Sequence, residues 1–274
     1  MLNKLKYNYS EYIFILFFLI LYVISSTIPA DTSSNINIEV IVYSVLSTLL
    51  PLIFIMIFFK TNSGHYSNCK GKNKLILFFI NVIPFLILIA LQIIIQVNSA
   101  FTRITVVLTS LLAIASYLSK YNSIKLPLKC GLKGFIFVII TFILYKIPLI
   151  LLSKTIITYH YSAIEFILSI LNTFIFTALR EELIFRDFFL FGLITHGVST
   201  KSANMIQAVV FGLIHIVSNE QTFFNYYSGS NLLVKSVLTC SYQVLMGYLF
   251  GKIVIKFKSI GYSVILHTLI DLIV

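Results

Sequence analysis

Long apolar runs fill this chain from end to end, and they constrain its fold more than any other feature. About nine runs, most of them roughly the twenty residues that a helix needs to cross a bilayer, alternate with short polar loops. Of the 274 residues, 59% are hydrophobic and only 11% are charged, and the mean hydropathy is +0.99. A soluble domain is nearer half apolar and a quarter charged, and a disordered chain needs low hydrophobicity. Both classes are therefore excluded.

The runs predict an all-α protein, a polytopic transmembrane helix bundle with about eight or nine spans. They are continuous and do not alternate with polar residues, which excludes a strand barrel. No loop is long enough to fold separately, so residues 1–274 are expected to form a single membrane domain. The predicted spans are Tyr12–Ala30, Glu39–Phe59, Leu75–Gln96, Ile104–Ser119, Gly134–Leu152, a run within Ala163–Thr195, Ala203–Ser218, Leu232–Ile255 and Ile260–Val274.

The basic residues lie mainly in alternate loops, a pattern that sets membrane topology and does not suggest a nucleic-acid partner. The formal net charge is +11, from 20 Lys and Arg against 9 Asp and Glu. Fourteen of the 20 basic residues fall on one side of the predicted bundle. The positive-inside rule then places the N-terminus in the cytoplasm. We expect an integral, multi-pass protein whose partner is the lipid bilayer, and the compact lysine-rich loops suit a bacterial plasma membrane.

The most informative charges lie inside an apolar run. Five charged residues occupy the eight positions from Arg180 to Asp187, although a charge at the bilayer centre costs roughly 2.5–3.5 kcal/mol or more. On a helix Glu182 and Arg186 share a face, so the arginine can hold the acid ionised. Glu181 is rotated by about 100° and can face another partner. Two carboxylates in different surroundings suit a reactive base beside a structural anion, but an interfacial turn with solvated charges explains the cluster equally well.

Two histidines lie inside later apolar runs. His215 is in the run 203–218, and His267 shares the last run with Asp271, four residues further on. That spacing points both side chains the same way, so the carboxylate can orient the imidazole. The alternative for His215 is a core histidine bonded to a neighbour. The alternative for His267 and Asp271 is a structural hydrogen bond between helices.

The rise of a helix places these groups at similar depth in the membrane. At 1.5 Å per residue from the predicted cytoplasmic ends, the depths are about 21, 18, 10 and 16 Å for Glu181, His215, His267 and Asp271. The match requires span six to cover 172–195. It leaves 161–171 as a separate helix at the lumenal or interfacial side.

Three short motifs therefore share the apolar C-terminal part of the chain. They are Glu181-Glu182-Leu-Ile-Phe-Arg186, Phe211-Gly-Leu-Ile-His215 and His267-Thr-Leu-Ile-Asp271. Together they resemble the CAAX protease and bacteriocin-processing (CPBP, or Abi) family of intramembrane proteases, whose pattern is E-E-x-x-x-R, F-x-x-x-H and H-x-x-x-N or D on separate helices. The resemblance covers about 172–274. Residues 161–274 are thus expected to be the catalytic helix core, after N-terminal spans over 1–160 without a recognisable motif.

The resemblance implies hydrolysis of a peptide bond in a membrane-associated substrate, a prenylated or leader-type peptide, by a water that Glu181 activates. Amide hydrolysis needs a base, a group that stabilises the oxyanion and a proton donor to the amine. Glu182 and Arg186 would fix the geometry, and Asp271 would orient His267 or donate to the oxyanion. The two histidines would hold the water or, with Glu181, a divalent metal such as zinc. Whether a metal is bound stays open. The implied catalytic set is Glu181, Glu182, Arg186, His215, His267 and Asp271.

Two other functions stay open at this point. A catalytically silent membrane scaffold, or a regulatory or bacteriocin-immunity protein, would keep the charges as a structural network. Asp187, where relatives commonly carry glycine, and the short last helix motivate this alternative because the aspartate adds a third acid beside the pair. A transporter would also need charges at mid-membrane, but the sequence shows none of the internal repeats that are typical of transporters.

Overall fold

The structure, a computed structural model, describes residues 2–27, 38–58, 73–95, 99–121, 125–152, 162–218 and 232–272. Every regular element in these ranges is helical, which confirms the all-α fold. We number the helices in chain order. They are α1 (Leu2–Thr27), α2 (Ile38–Phe58), α3 (Lys74–Ile95), α4 (Ser99–Leu118), α5 (Leu132–Leu152), α6 (Ala163–Thr195), α7 (Thr200–Ser218), α8 (Leu232–Phe257) and α9 (Gly261–Leu272).

Each predicted apolar run coincides with one of these helices. Within the described residues, two helical segments are long and apolar enough to cross a membrane, namely Ala163–Thr195 and Ser236–Phe257. Other apolar segments of 10–17 residues lie in α1, α2, α3, α4 and α9. The number of helices that span the bilayer and the cytoplasmic N-terminus stay predictions.

Helix α6 is continuous, so residues 162–171 do not form a separate helix. The prediction of such a helix over 161–171 is wrong for this described part of it. The Ser162 hydroxyl accepts a hydrogen bond from the Glu165 N–H at 3.3 Å, and the Glu165 carboxylate accepts one from the Ser162 N–H at 2.8 Å. This capping box starts the helix. No proline or glycine occurs between 163 and 191, so nothing in the sequence breaks α6 before the charged cluster.

The local geometry of α6 changes around the glutamate pair. Two π-helical stretches, Thr173–Leu179 and Leu183–Leu190, flank one α-helical turn, Arg180–Glu182. Such i→i+5 stretches are rare and frequently occur at functional sites. Residues 162–168 are all exposed, whereas residues 182–192 are all buried. The glutamate pair therefore lies where α6 passes from an exposed to a fully enclosed environment.

The chain divides into two compact units, and each unit is made of three separate stretches of the sequence. The first contains residues 1–58, 143–156 and 204–249, and the second contains 59–142, 157–203 and 250–274. The single membrane domain stays a prediction.

In the first unit, helices α7 and α8 approach each other closely. A Cβ atom added at Gly212 would meet the Val244 side chain. Gln207 is fully buried and donates a hydrogen bond to the Gly247 carbonyl at 2.8 Å. Close approach through glycine and polar bonds between helices are usual in membrane bundles, where lipid is as apolar as the helix surface.

In the second unit, the segment 125–131 fixes the start of α9. The Ser259 Oγ lies 2.7 Å from the Pro127 carbonyl oxygen and 2.9 Å from that of Lys129, so its one proton can be donated to either. The Ile260 N–H also donates to the Pro127 carbonyl, at 3.1 Å. Since His267 lies six residues after the first residue of α9, about 9 Å along the axis, these bonds set its height in the unit.

We expect Gly261→Ala to destabilise the second unit by about 1–3 kcal/mol, the usual cost of overpacking. A Cβ atom there would meet the Leu128 carbonyl oxygen, and the backbone cannot move aside cheaply. Thermal unfolding in detergent, followed by circular dichroism, measures the effect. Gly131→Ala is the matched control, because its Cβ would meet only the Tyr262 hydroxyl, at 3.5 Å. Equal stability of both variants would contradict the packing argument.

Candidate active site

Helices α6 and α9 bring five of the six predicted site residues together within the second unit. His267 Nδ1 hydrogen-bonds Glu182 Oε1 at 2.9 Å. His267 Nε2 lies 3.3 Å from Asp271 Oδ2 and 3.8 Å from Glu181 Oε2. Arg186 Nε lies 3.2 Å from Glu182 Oε2. The five side chains thus form one continuous polar cluster between two apolar helices.

Glu182 is the centre of this cluster. It is fully buried, as is its ion-pair partner Arg186. An ionised carboxylate only accepts hydrogen bonds, so the proton of the Glu182–His267 bond belongs to Nδ1 of the imidazole. That bond fixes the ring orientation and turns Nε2 toward Asp271 and Glu181. Asp271, which the sequence analysis expects to orient His267 or to donate to the oxyanion, contacts the other nitrogen, Nε2.

Phe250 on α8 completes the wall of the cluster, and sequence reasoning missed it. Its ring stacks on the His267 imidazole, with centroids 4.8 Å apart and planes inclined by 20°. The Arg186 guanidinium carbon lies 5.2 Å from the centroid of the same ring, within cation–π range. One phenylalanine among 25 carries no signal in the sequence.

The two glutamates differ in their access to the surroundings. The Glu182 side chain has no exposed surface, whereas that of Glu181 is 12% exposed and that of Asp271 is 33% exposed. Glu181 and Asp271 therefore line the accessible side of the cluster, and Glu182 lies behind the imidazole. This is the difference in environment that a reactive acid beside a structural acid requires.

Arg180 lies beside Glu181 on the α-helical turn. Its Nη2 donates to Glu181 Oε1 at 3.0 Å, and its guanidinium carbon is 5.5 Å from the centroid of the Phe85 ring. The sequence had placed Arg180 in the membrane without a role. The cluster thus holds two guanidinium groups and one imidazole beside three carboxylates.

Asp187 is bonded elsewhere, so it does not add a third acid to the pair. Lys74 Nζ contacts its carboxylate at 2.8 Å, and the Leu126 N–H donates to the same oxygen at 3.0 Å. Lys74 and Asp187 are only 2% and 0% exposed. Lys74 is one of the fourteen basic residues that the charge pattern places in loops on one side of the predicted bundle. The structure instead gives it a buried partner 113 residues away in the chain.

His215 belongs to the first unit. Its Nδ1 lies 2.7 Å from the carbonyl oxygen of Phe211, and the two rings are 4.4 Å apart between centroids. Since a carbonyl only accepts, Nδ1 carries the proton of this hydrogen bond. This contact gives a local reason for the F-x-x-x-H spacing. The predicted approach of His215 to the acids stays a prediction.

In the part of the chain that the structure describes, no set of side chains supports the hypothesis of a bound metal. No group of three or more His, Cys, Asp or Glu side chains there has an arrangement that could hold a metal ion. The Nδ1 atom of His267 is already committed to Glu182. We therefore derive no chemical step through a metal.

The fold and the cluster together describe a helical membrane protein with a buried group of acids, an imidazole and guanidiniums. Residues 163–273 match the family model described as "Rce1-like: Type II CAAX prenyl endopeptidase Rce1-like". This segment holds all three motifs, and the match confirms the resemblance drawn from the sequence. No curated protein and no solved structure matches the chain.

We expect Lys74→Met to lower the free energy of unfolding by about 3–5 kcal/mol, because it leaves the buried Asp187 carboxylate without its cation. Adding Asp187→Asn should recover part of this loss, since the remaining group is neutral. Chemical denaturation in detergent micelles measures both. Lys133→Met, at an exposed position, serves as the control. If Lys74→Met were as stable as this control, the buried pair would contribute nothing.

Proposed function

We propose that this protein is an intramembrane endopeptidase that hydrolyses a peptide bond with a water activated by Glu181. The observation that carries the proposal is that the two ring nitrogens of His267 face different acids. Its Nδ1 is bound to the buried Glu182, and its Nε2 faces the partly exposed Glu181 and Asp271. This arrangement holds an imidazole edge and a carboxylate toward the same accessible region. The match of residues 163–273 to a prenyl endopeptidase family supports the reaction class.

Glu181 acts as the general base. Its Oε2 is 3.8 Å from His267 Nε2, which is beyond hydrogen-bond distance, so both atoms can bind one water molecule that lies beside them. The water gives a proton to Glu181 as its oxygen attacks the carbonyl carbon. Glu181 then returns the proton to the leaving amine. Such positioned proton transfer typically contributes about 10²–10⁴ in rate.

The buried residues keep this geometry in place. Arg186 forms an ion pair with Glu182, and Glu182 holds the imidazole in one orientation. Asp271 bounds the other side of Nε2 and keeps the imidazole edge polar. On its motif position alone, we propose that His215 acts in the same reaction as a second imidazole.

We further propose a multi-pass protein of the bacterial plasma membrane whose substrate is a membrane-associated peptide, either prenylated or of the leader type. The family description names a CAAX prenyl endopeptidase. Apolar side chains at the start of α6 are exposed, which suits contact with lipid. They include Ile164, Phe166, Ile167, Leu168 and Leu171. A substrate with a lipid chain would reach Glu181 along the bilayer plane.

The alternative of a silent scaffold was motivated in part by Asp187. The pairing of this aspartate with Lys74 takes it out of the acid pair and so removes that motive. No contact among the described residues specifically favours the transporter alternative.

We expect Glu181→Gln to lower kcat by about 10²–10⁴-fold, because glutamine cannot take a proton from water. The assay uses an internally quenched peptide with a farnesylated cysteine three residues from its C-terminus, in detergent, with metal content measured on the same sample. Glu165→Gln is the matched control, since it changes an exposed acid on the same helix. The glutamine side chain can still accept the hydrogen bond from the Ser162 N–H. Full cleavage by a folded Glu181→Gln variant would refute the mechanism.

A further inference from the structure

Arg180 has a hydrogen-bonding capacity that the proposed mechanism does not use. Its side chain is about nine-tenths buried, and Nη2 is bonded to Glu181 Oε1. Nη1 is also buried, and it has no hydrogen-bond partner within the described parts of the chain. Phe85 packs near the guanidinium carbon and limits its movement. The structure thus holds one cationic donor next to the proposed base.

A buried charged donor without an acceptor is unfavourable, because the lost hydration is not replaced. Such an arrangement persists at functional sites, where a ligand supplies the missing acceptor. Arg186 is likewise ion-paired and packed against a phenylalanine, but its side chain has no exposed surface, whereas that of Arg180 is 10% exposed. Of the two arginines, Arg180 is therefore the one placed to meet a substrate.

We infer that Arg180 is a further catalytic residue, whose Nη1 binds the carbonyl oxygen of the scissile peptide bond and stabilises the oxyanion. This inference rests on the proposed function. Preorganised donors aimed at developing charge supply a large share of the rate in acyl transfer. Arg180 provides such a donor at the α-helical turn between two π-helical stretches.

The charges balance through the reaction. The water oxygen forms a bond to the carbonyl carbon, a water proton passes to Glu181, and the carbonyl π pair moves to oxygen beside Nη1. Protonation removes the charge of Glu181 just as the oxyanion gains one, so the guanidinium exchanges one anionic partner for another. Collapse then breaks the C–N bond, and the proton on Glu181 passes to the amine.

The position of Arg180 favours the oxyanion over a terminal carboxylate as its ligand. Nη2 is 3.0 Å from the carboxylate that activates the water, so an oxygen bound to Nη1 lies near the attacked carbon. A carboxylate three residues downstream would lie about 10 Å from that carbon in an extended peptide. A second full carboxylate beside Glu181 would also be repelled.

The test compares Arg180→Met, Arg180→Lys, Glu181→Gln and the exposed control Arg103→Met on the farnesylated peptide. We expect Arg180→Met to lower kcat about 10²–10³-fold with little change in KM, and lysine to restore part of the loss. Arg103→Met should behave as wild type. Circular dichroism and thermal unfolding establish that each variant is folded.

A second readout separates an oxyanion role from support of Glu181. A phosphinate analogue of the same peptide mimics the tetrahedral anion, and its affinity should fall in parallel with kcat/KM in the Arg180 variants. Affinity for the uncleaved peptide, measured in the Glu181→Gln background, should not change. Unchanged phosphinate binding, together with a displaced acid limb of the pH–rate profile, would make Arg180 a positioning residue and overturn the inference.

The two proposals fail in different ways. If wild type does not cleave the peptide, or Glu181→Gln cleaves it at the wild-type rate, the proposed function fails and the role of Arg180 fails with it. If Glu181→Gln is inactive and folded Arg180→Met keeps kcat within about twofold, less than the loss of any oxyanion donor, only the Arg180 inference is overturned.

Discussion

The buried carboxylate of Glu182 is the interaction on which the cluster depends. A charge without exposed surface is stable only when it is paired and hydrogen-bonded. Glu182 meets this condition with one partner on its own helix, Arg186, and one on α9, His267, 85 residues later. These two partners therefore make the Glu182 carboxylate tolerable in an apolar interior, and the bond to His267 also joins α6 to α9. Loss of Arg186 would leave a buried carboxylate without its cation, and loss of Glu182 would release the imidazole.

Polar contacts at one end of the second unit support that junction. Lys74 holds Asp187 on α6, and Ser259 holds the segment 125–131 next to the start of α9. Glu181 lies six residues before Asp187, about 9 Å along the helix, and His267 lies a similar distance into α9. Lipid does not drive helices together, so these polar contacts set the relative height of α6 and α9. A shift of one helical turn would separate His267 from Glu182.

Contacts between close residues of one helix could be predicted from the sequence. The apolar runs locate the helices, and the i,i+4 spacing gives the pairs Glu182–Arg186 and His267–Asp271, because helix geometry alone determines them. Contacts between helices could not be predicted in this way. Lys74 resembled a solvated loop lysine, and Phe250 resembled any core aromatic. Membrane thickness predicts that span six starts at residue 172. The capping box at Ser162 is the sequence signal that gives the true start of α6.

The difference between Glu181 and Glu182 follows from how their oxygens are used. Both oxygens of Glu182 are committed, Oε1 to His267 and Oε2 to Arg186, and no surface remains for water. Glu181 directs Oε1 to Arg180, while its Oε2 stays beyond hydrogen-bond distance of His267. An ionised carboxylate has about four acceptor positions, so Glu181 can accept a water as well. Adjacent identical residues thus acquire different chemistry because a helix turns by about 100° between them.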